Sequence, residues 1–142
     1  MNTETPTTIR EKALAINLNP TIYGSFAEIG GGQEVARNFF KAGAAGGTIA
    51  KSMSAYDMVF SDNIYGSEAG GRYVSESRCL KMLDHEYNLL EERLVQEEYQ
   101  DRCFFVFANT VTTLNYSRSN KPHGWMGVRF QLEPDSPSSD II

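Results

Sequence analysis

Residues 103–111 read CFFVFANTV, and this stretch decides the fold. Its aromatic and β-branched side chains run on without alternation, which is typical of a strand buried on both faces. After a polar loop at 115–123, residues 125–132 read WMGVRFQL and alternate between apolar and polar side chains. The alternation predicts a second strand. We therefore expect an antiparallel pair over 103–111 and 124–132.

A long amphipathic helix is predicted upstream of this pair, from about Ser75 to Gln100. Its apolar stripe has intervals of three and four residues and consists of Leu80, Leu83, Tyr87, Leu90 and Leu94. Ser75 or Ser77 can cap its start. A stripe of this length fits either a coiled coil or a helix laid across a sheet, and we favour the sheet. The predicted class is α+β, with the helix packed on an antiparallel or mixed sheet after a Gly-rich N-terminal segment.

The N-terminal half gives weaker signals. Helices are predicted over Thr7–Ile16 and Gln33–Ala42, with Gly43 as a C-cap of the second. Residues 48–50 are interpreted as a short strand, and residues 55–64 as a helical turn or an irregular edge. Residues 1–10 are expected to be flexible, and 133–140 to form a turn or linker. Residues 1–142 are thus predicted to be one domain, the N-terminal part of a longer protein.

Composition restricts the class of protein. The chain has 142 residues, 41% hydrophobic and 22% charged, as expected for a globular domain. It has no apolar run of the roughly 20 residues that a membrane helix needs, and it lacks the pattern of a signal peptide, so we expect a cytoplasmic location. The net charge of −5 argues against nucleic acid as the main partner. Cys79 and Cys103 are interpreted as buried thiols rather than a disulfide.

Charge is concentrated in two segments. Residues 76–101 hold eight acids and three bases, whereas residues 115–131 hold three bases and no acid. An acidic helix and a basic hairpin are therefore predicted. They could face each other, or each could face a partner.

Glycine runs are the first candidate for chemistry. Residues 30–35 (GGGQEV) nearly match the dinucleotide pattern G-x-G-x-x-G/A, and residues 46–52 (GGTIAKS) resemble a phosphate loop with Ala50 at a glycine position. Backbone N–H groups at the start of a helix bind phosphate, so a nucleotide or small anionic ligand is one interpretation. Tight turns and close backbone packing are the other.

Polar side chains supply further candidates. One set could line a single cleft for acid–base chemistry or form surface ion pairs, and it comprises Glu28, Glu34, Arg37, Lys51, Asp57 and Asp62. A basic loop with Arg118, Lys121 and His123 beside Trp125 could hold an acidic ligand. No metal site is predicted, no cofactor is identified, and a catalytic role stays open. The candidate ligand-binding residues are Gly30, Gly31, Gly32, Glu28, Lys51, Asp57, Arg118 and His123.

Several runs also resemble a known family. They lie at 23–30, 33–37, 47–51, 54–57, 84–87, 104–108 and 123–130. Together they resemble the N-terminal part of a family of uncharacterised bacterial proteins several hundred residues long, some of which carry the name nicotinamide-nucleotide adenylyltransferase. The resemblance implies that the chain continues beyond Ile141. The His-x-x-His or His-x-Gly-His pair normal for that chemistry does not occur in this sequence.

The predicted function is a binding or assembly module of a larger protein. Asp140-Ile141-Ile142 begins an apolar segment, and isoleucines on an exposed sheet edge would invite association. The expected partners are a second copy of the chain or the remainder of the parent protein. A nucleotide-dependent enzyme or half-site using Gly30 to Gly32, Lys51 and Asp57 is the alternative.

Overall fold

The fold is described from a computed structural model, which covers residues 5–93 and 99–142. The elements are α1 (Ile9–Asn17), β1 (Ile22–Gly30), α2 (Val35–Ala42), β2 (Ile49–Ala55), α3 (Met58–Tyr65), α4 (Glu76–Arg93), β3 (Cys103–Val111), β4 (Gly124–Phe130) and β5 (Ser139–Ile141). The α+β class predicted from the sequence is confirmed.

The sheet is mixed, with the strand order β2-β1-β3-β4-β5. Strand β1 is parallel to both β2 and β3, whereas β3–β4 and β4–β5 are antiparallel. The predicted antiparallel pair is therefore confirmed, with Phe107 opposite Val128. Strand β1, which lies between β2 and β3, was missed because its small residues Gly24, Ser25 and Ala27 lack the bulky pattern of a buried strand.

Helix α4 covers one face of this sheet. Met82, Leu83 and Leu90 of α4 join Val106 and Ala108 of β3 in the hydrophobic core. The predicted helix across a sheet is thus confirmed, although it begins at Glu76 and its described part ends at Arg93. Leu94 and the rest of the predicted helix up to residue 98 lie outside the described residues.

The opposite face is covered over only part of its width. Helix α2 packs over β1 there, where the rings of Phe26 and Phe39 lie 4.8 Å apart. Phe105 and Phe107 of β3 are only half-buried on this side. The prediction that strand 103–111 is buried on both faces was therefore wrong, because α4 covers only the side that carries Phe104 and Val106.

Several predicted bounds also change. The predicted strand at 48–50 is the longer β2, and the predicted turn at 55–64 is α3, which starts after the N-cap Asp57. Gly43 ends α2 with φ 86°, as predicted for a C-cap. Residues 139–140, predicted to be turn, belong to β5, an edge strand paired with β4. Cys79 and Cys103 are free thiols, the first buried and the second half-buried.

Candidate functional site

The glycine run 30–32 lies where β1 ends beside the end of β3. The Gly31 N–H donates to the carbonyl of Val111 over 3.1 Å. A Cβ atom added to Gly30 would lie 2.0 Å from the Val111 carbonyl oxygen, and one on Gly31 would lie 2.6 Å from that of Thr112. These glycines therefore allow two backbone segments to pack closely, which is the second interpretation offered by the sequence.

Glu28 occupies the position that an anion would take at the start of α2. Its carboxylate is buried and accepts hydrogen bonds from the N–H groups of Val35 (3.0 Å) and Ala36 (3.3 Å). The side-chain amide of Asn109 donates to the same carboxylate over 3.0 Å. The donors that could have bound a phosphate at this helix are thus used by the protein's own carboxylate.

Lys51 lies apart from the glycine run, in the middle of β2 on the side that faces α4. Its Nζ atom is 2.6 Å from Oε2 of Glu86, whose side chain is only 2% exposed. The hydroxyl of Tyr65 donates to the other oxygen of Glu86 over 3.4 Å. Burial, reinforced by this carboxylate, raises the pKa of Tyr65. The sequence identified Lys51 but missed Glu86, which the acidic character of α4 disguised as a surface residue.

The remaining acids and bases do not share a cleft with Lys51. Asp57 caps α3 by accepting from the Phe60 N–H. Glu34 and Arg37 form an exposed ion pair at 3.7 Å. Asp62 accepts a hydrogen bond from the buried guanidinium of Arg78 at 2.7 Å, and this contact joins α3 to α4. Asp57, Glu34, Arg37 and Asp62 therefore each have their own structural contacts. Of the two alternatives that the sequence left open for this set, the single cleft does not apply.

The basic loop lies between β3 and β4. Its N–H and side-chain bonds are local: Thr112 donates to the carbonyl of His123, and Asn115 accepts from the Ser119 N–H. Arg118 has a positive φ of 54°, and it is exposed, as is His123. The acidic helix and the basic hairpin do meet, but through Arg129 of β4, whose guanidinium lies 2.5 Å from Asp84 of α4.

A further candidate site is an apolar surface that we name the open face. It is the side of β3, β4 and β5 turned away from α4, together with the groove between these strands and α2. The half-buried side chains on its strands are Cys103, Phe105, Phe107, Val128 and Phe130. The groove has a volume of about 390 Å³, and Ile16, Val35 and Phe39 line its helical wall.

The open face extends to the edge of the sheet. Met126 and Ile141 lie on its strands and are each 62% exposed. The sequence contained a signal for this surface, because Met126, Val128 and Phe130 alternate in β4 and lie opposite apolar positions of β3. The alternation served only to predict the strand, and nothing in the pattern indicated which side would stay uncovered.

The side chains and helices of residues 5–93 and 99–142 bear on two other kinds of site. No group of three or more His, Cys, Asp or Glu side chains in this part of the chain is placed to hold a metal ion. None of its helices is both long and apolar enough to span a membrane.

The fold is similar to three solved structures. The competence/damage-inducible protein CihA from Agrobacterium tumefaciens matches with a TM-score of 0.61 and 16% identity over 99% of this chain and 82% of that one. A competence-damaged protein (CinA) superfamily protein from Enterobacter cloacae matches with a TM-score of 0.57 and 13% identity, with the same coverage. A competence or damage-inducible protein from Enterobacter asburiae matches with a TM-score of 0.55 and 13% identity over 95% of this chain and 83% of that one.

At these identities the likeness concerns the fold alone. No family model matches the chain, and no curated protein is significantly similar to it in sequence.

Proposed function

We propose that this chain is an assembly module that pairs with a second copy of itself through the open face. The proposal rests on the apolar strip that β3, β4 and β5 leave uncovered. Large contiguous apolar patches are rare on monomeric proteins and mark surfaces that bind another chain. The module would serve a larger protein, as the family resemblance implies.

The area of the open face favours a protein partner over a small ligand. It runs from the groove beside Phe39 across the rings of Phe105 and Phe107 to the exposed Met126 and Ile141. A stable pair of proteins buries about 800 Å² on each partner, which requires a surface several side chains wide. The open face is several side chains wide, since it extends from α2 over β3 and β4 to the edge strand β5.

The absence of charge favours a second copy as the occupant. On β3, β4 and β5, the described residues that point to this side are apolar or neutral, whereas the charged Arg129 and Asp140 point towards α4. Across a two-fold axis a patch meets itself, so a patch that carried charges of a single sign would repel its own copy. An uncharged patch avoids that repulsion.

Strand β5 provides backbone groups next to the same surface. Its Ser139–Ile141 segment pairs with β4 on one side only and is exposed. An edge strand with exposed isoleucine offers unpaired N–H and carbonyl groups for a partner. The second copy therefore gains hydrogen bonds at the rim and apolar contact at the centre.

The test is the molar mass of the chain in solution, measured by size-exclusion chromatography with light scattering over a concentration series. We expect a dimer whose dissociation constant rises at least 100-fold in the double variant Met126→Glu/Ile141→Glu. Both side chains are exposed, so the variant should fold, which circular dichroism checks. The matched control is Leu114→Glu, an exposed leucine in the β3–β4 loop, which should leave the dimer intact.

A second apolar patch provides the competing outcome. Tyr56, Met58, Val59 and Phe60 at the start of α3 are exposed. A dimer that dissociates in Val59→Glu but survives the double variant would overturn the assignment to the open face. A chain that is monomeric at every concentration would overturn self-assembly altogether.

A further inference from the structure

A second cavity lies on the other side of the sheet, between β1, β2 and the end of α4. Its volume is about 370 Å³, which is within the range of small-molecule sites. Its lining includes Ser25, Lys51, Glu86, Leu89, Leu90 and Arg93. This cavity is separate from the open face and does not depend on the proposed assembly.

A buried ion pair forms the polar part of this cavity. Glu86 is 2% exposed, while its partner Lys51 keeps 44% of its side chain exposed, with 2.6 Å between Nζ and Oε2. Burying a carboxylate costs several kcal/mol, and the cost is offset only by close partners. The pair therefore fixes an ammonium group at the cavity wall, with Tyr65 bound to the second oxygen of Glu86.

The charges of the cavity select an anion. Among the described residues that line it, Lys51 and Arg93 carry two positive charges and Glu86 carries one negative charge, so the net charge of these residues is positive by one. Arg93 is exposed at the rim, while Glu86 lies beneath Lys51. A monoanion balances this set, whereas a dianion exceeds it.

The remaining walls fit an apolar body. Leu89 and Leu90 line the cavity beside the ring of Tyr23. The guanidinium of Arg102 lies 5.2 Å from the centre of that ring. We infer that the cavity binds a small organic carboxylate, its anionic group at Lys51 and Arg93 and its apolar body against the two leucines.

The test uses benzoate as a probe of this class. Titration of the full chain with benzoate, followed by ¹H–¹⁵N NMR, should give saturable shifts at the amides of Ser25, Lys51 and Leu90. Inorganic phosphate, titrated in parallel, should bind at least tenfold more weakly. Shifts that never saturate, or stronger binding of phosphate, would overturn the inference.

Variants separate a ligand site from an ion pair that only stabilises the fold. Lys51→Met should weaken benzoate binding at least tenfold. Because this variant leaves the buried Glu86 unpaired and could fail to fold, the double variant Lys51→Met/Glu86→Gln removes both charges and should show the same loss of binding. Glu86→Gln alone removes the competing negative charge and should tighten binding several-fold. Lys41→Met, at an exposed lysine on α2, should bind like the original chain. Equal affinity in all four variants would contradict the proposed site.

Discussion

The two sides of strand β3 are equally apolar in sequence but have different surroundings. Phe104 and Val106 point towards α4 and are buried, with Val106 fully enclosed. Phe105 and Phe107 point the other way and remain half-buried. The comparison shows that apolar character identifies the residues that avoid water, but not the element that covers them.

The chain connections explain the difference. Parallel strands need crossover connections, and here they carry helices: α2 joins β1 to β2, and α3 and α4 lie between β2 and β3. Because these connections run in opposite directions across β1, right-handed crossovers place α2 and α4 on opposite faces. Strands β4 and β5 are added by antiparallel connections that contain no helix among the described residues. On the open face, β4 and β5 are therefore uncovered because they were added without crossovers, and β3 is uncovered because its crossover helix α4 lies on the other face.

The largest effect should come from cutting a side chain beneath α4. Leu83 is fully buried against β4, so Leu83→Ala should lower the free energy of unfolding by about 2–5 kcal/mol. Val128→Ala, on the open face, should cost less than about 1 kcal/mol, because solvent already reaches this residue. Urea denaturation at low protein concentration measures both values. Similar losses would mean that the open face is covered within a single chain.

A glycine on β1 gives the next largest effect. A Cβ atom added to Gly24 would lie 2.3 Å from both the ring and the carbonyl oxygen of Phe105. We expect Gly24→Ala to cost about 1–3 kcal/mol by overpacking and to displace the Phe105 ring on the open face. Gly46→Ala is the control, since no atom outside its own neighbours lies within 4 Å of the added carbon.

Thermal or urea unfolding of both glycine variants gives the comparison. A neutral Gly24→Ala would show that Phe105 moves freely, and that the groove beside α2 can change shape.

The same contrast shows how much the sequence could predict. Residues 103–111 could be assigned as a strand because their run of aromatic and β-branched side chains favours a strand over a helix. The predicted bounds agree with β3. Strand β1 could not be assigned in this way. Gly24 is small because it accommodates the ring of Phe105, and this contact joins positions that are far apart in the sequence. Glu28 likewise looked like a ligand-binding acid, although its partners are the N–H groups of α2. Local patterns record side-chain type, whereas these roles depend on which segments meet.

Polar contacts that anchor the sheet edge also lie on the covered side. Arg129 of β4 binds Asp140 of β5 at 2.7 Å and contacts Asp84 of α4. The hydrogen bond from Arg129 lowers the pKa of Asp140 below its usual value. A carboxyl group with a lowered pKa stabilises the fold above its unfolded pKa of about 3.9, and this contribution is lost as the pH falls through the folded value.

The smallest effect should therefore come from Asp140→Asn. Because Asp140 is one-third exposed, we expect a loss of at most about 1 kcal/mol at pH 6, and a difference from the original chain that shrinks as the pH falls towards 3. Urea denaturation over this pH range measures the difference, with Glu133→Gln, at an exposed carboxylate outside the Arg129 ion pairs, as the control. A difference that stays constant with pH would show that Asp140 acts through packing rather than charge. In that case β5 would not need the ion pair to stay in place on the covered side. Removing the Ile141 side chain on the open face would then release β5 more strongly than removing the charge of Asp140.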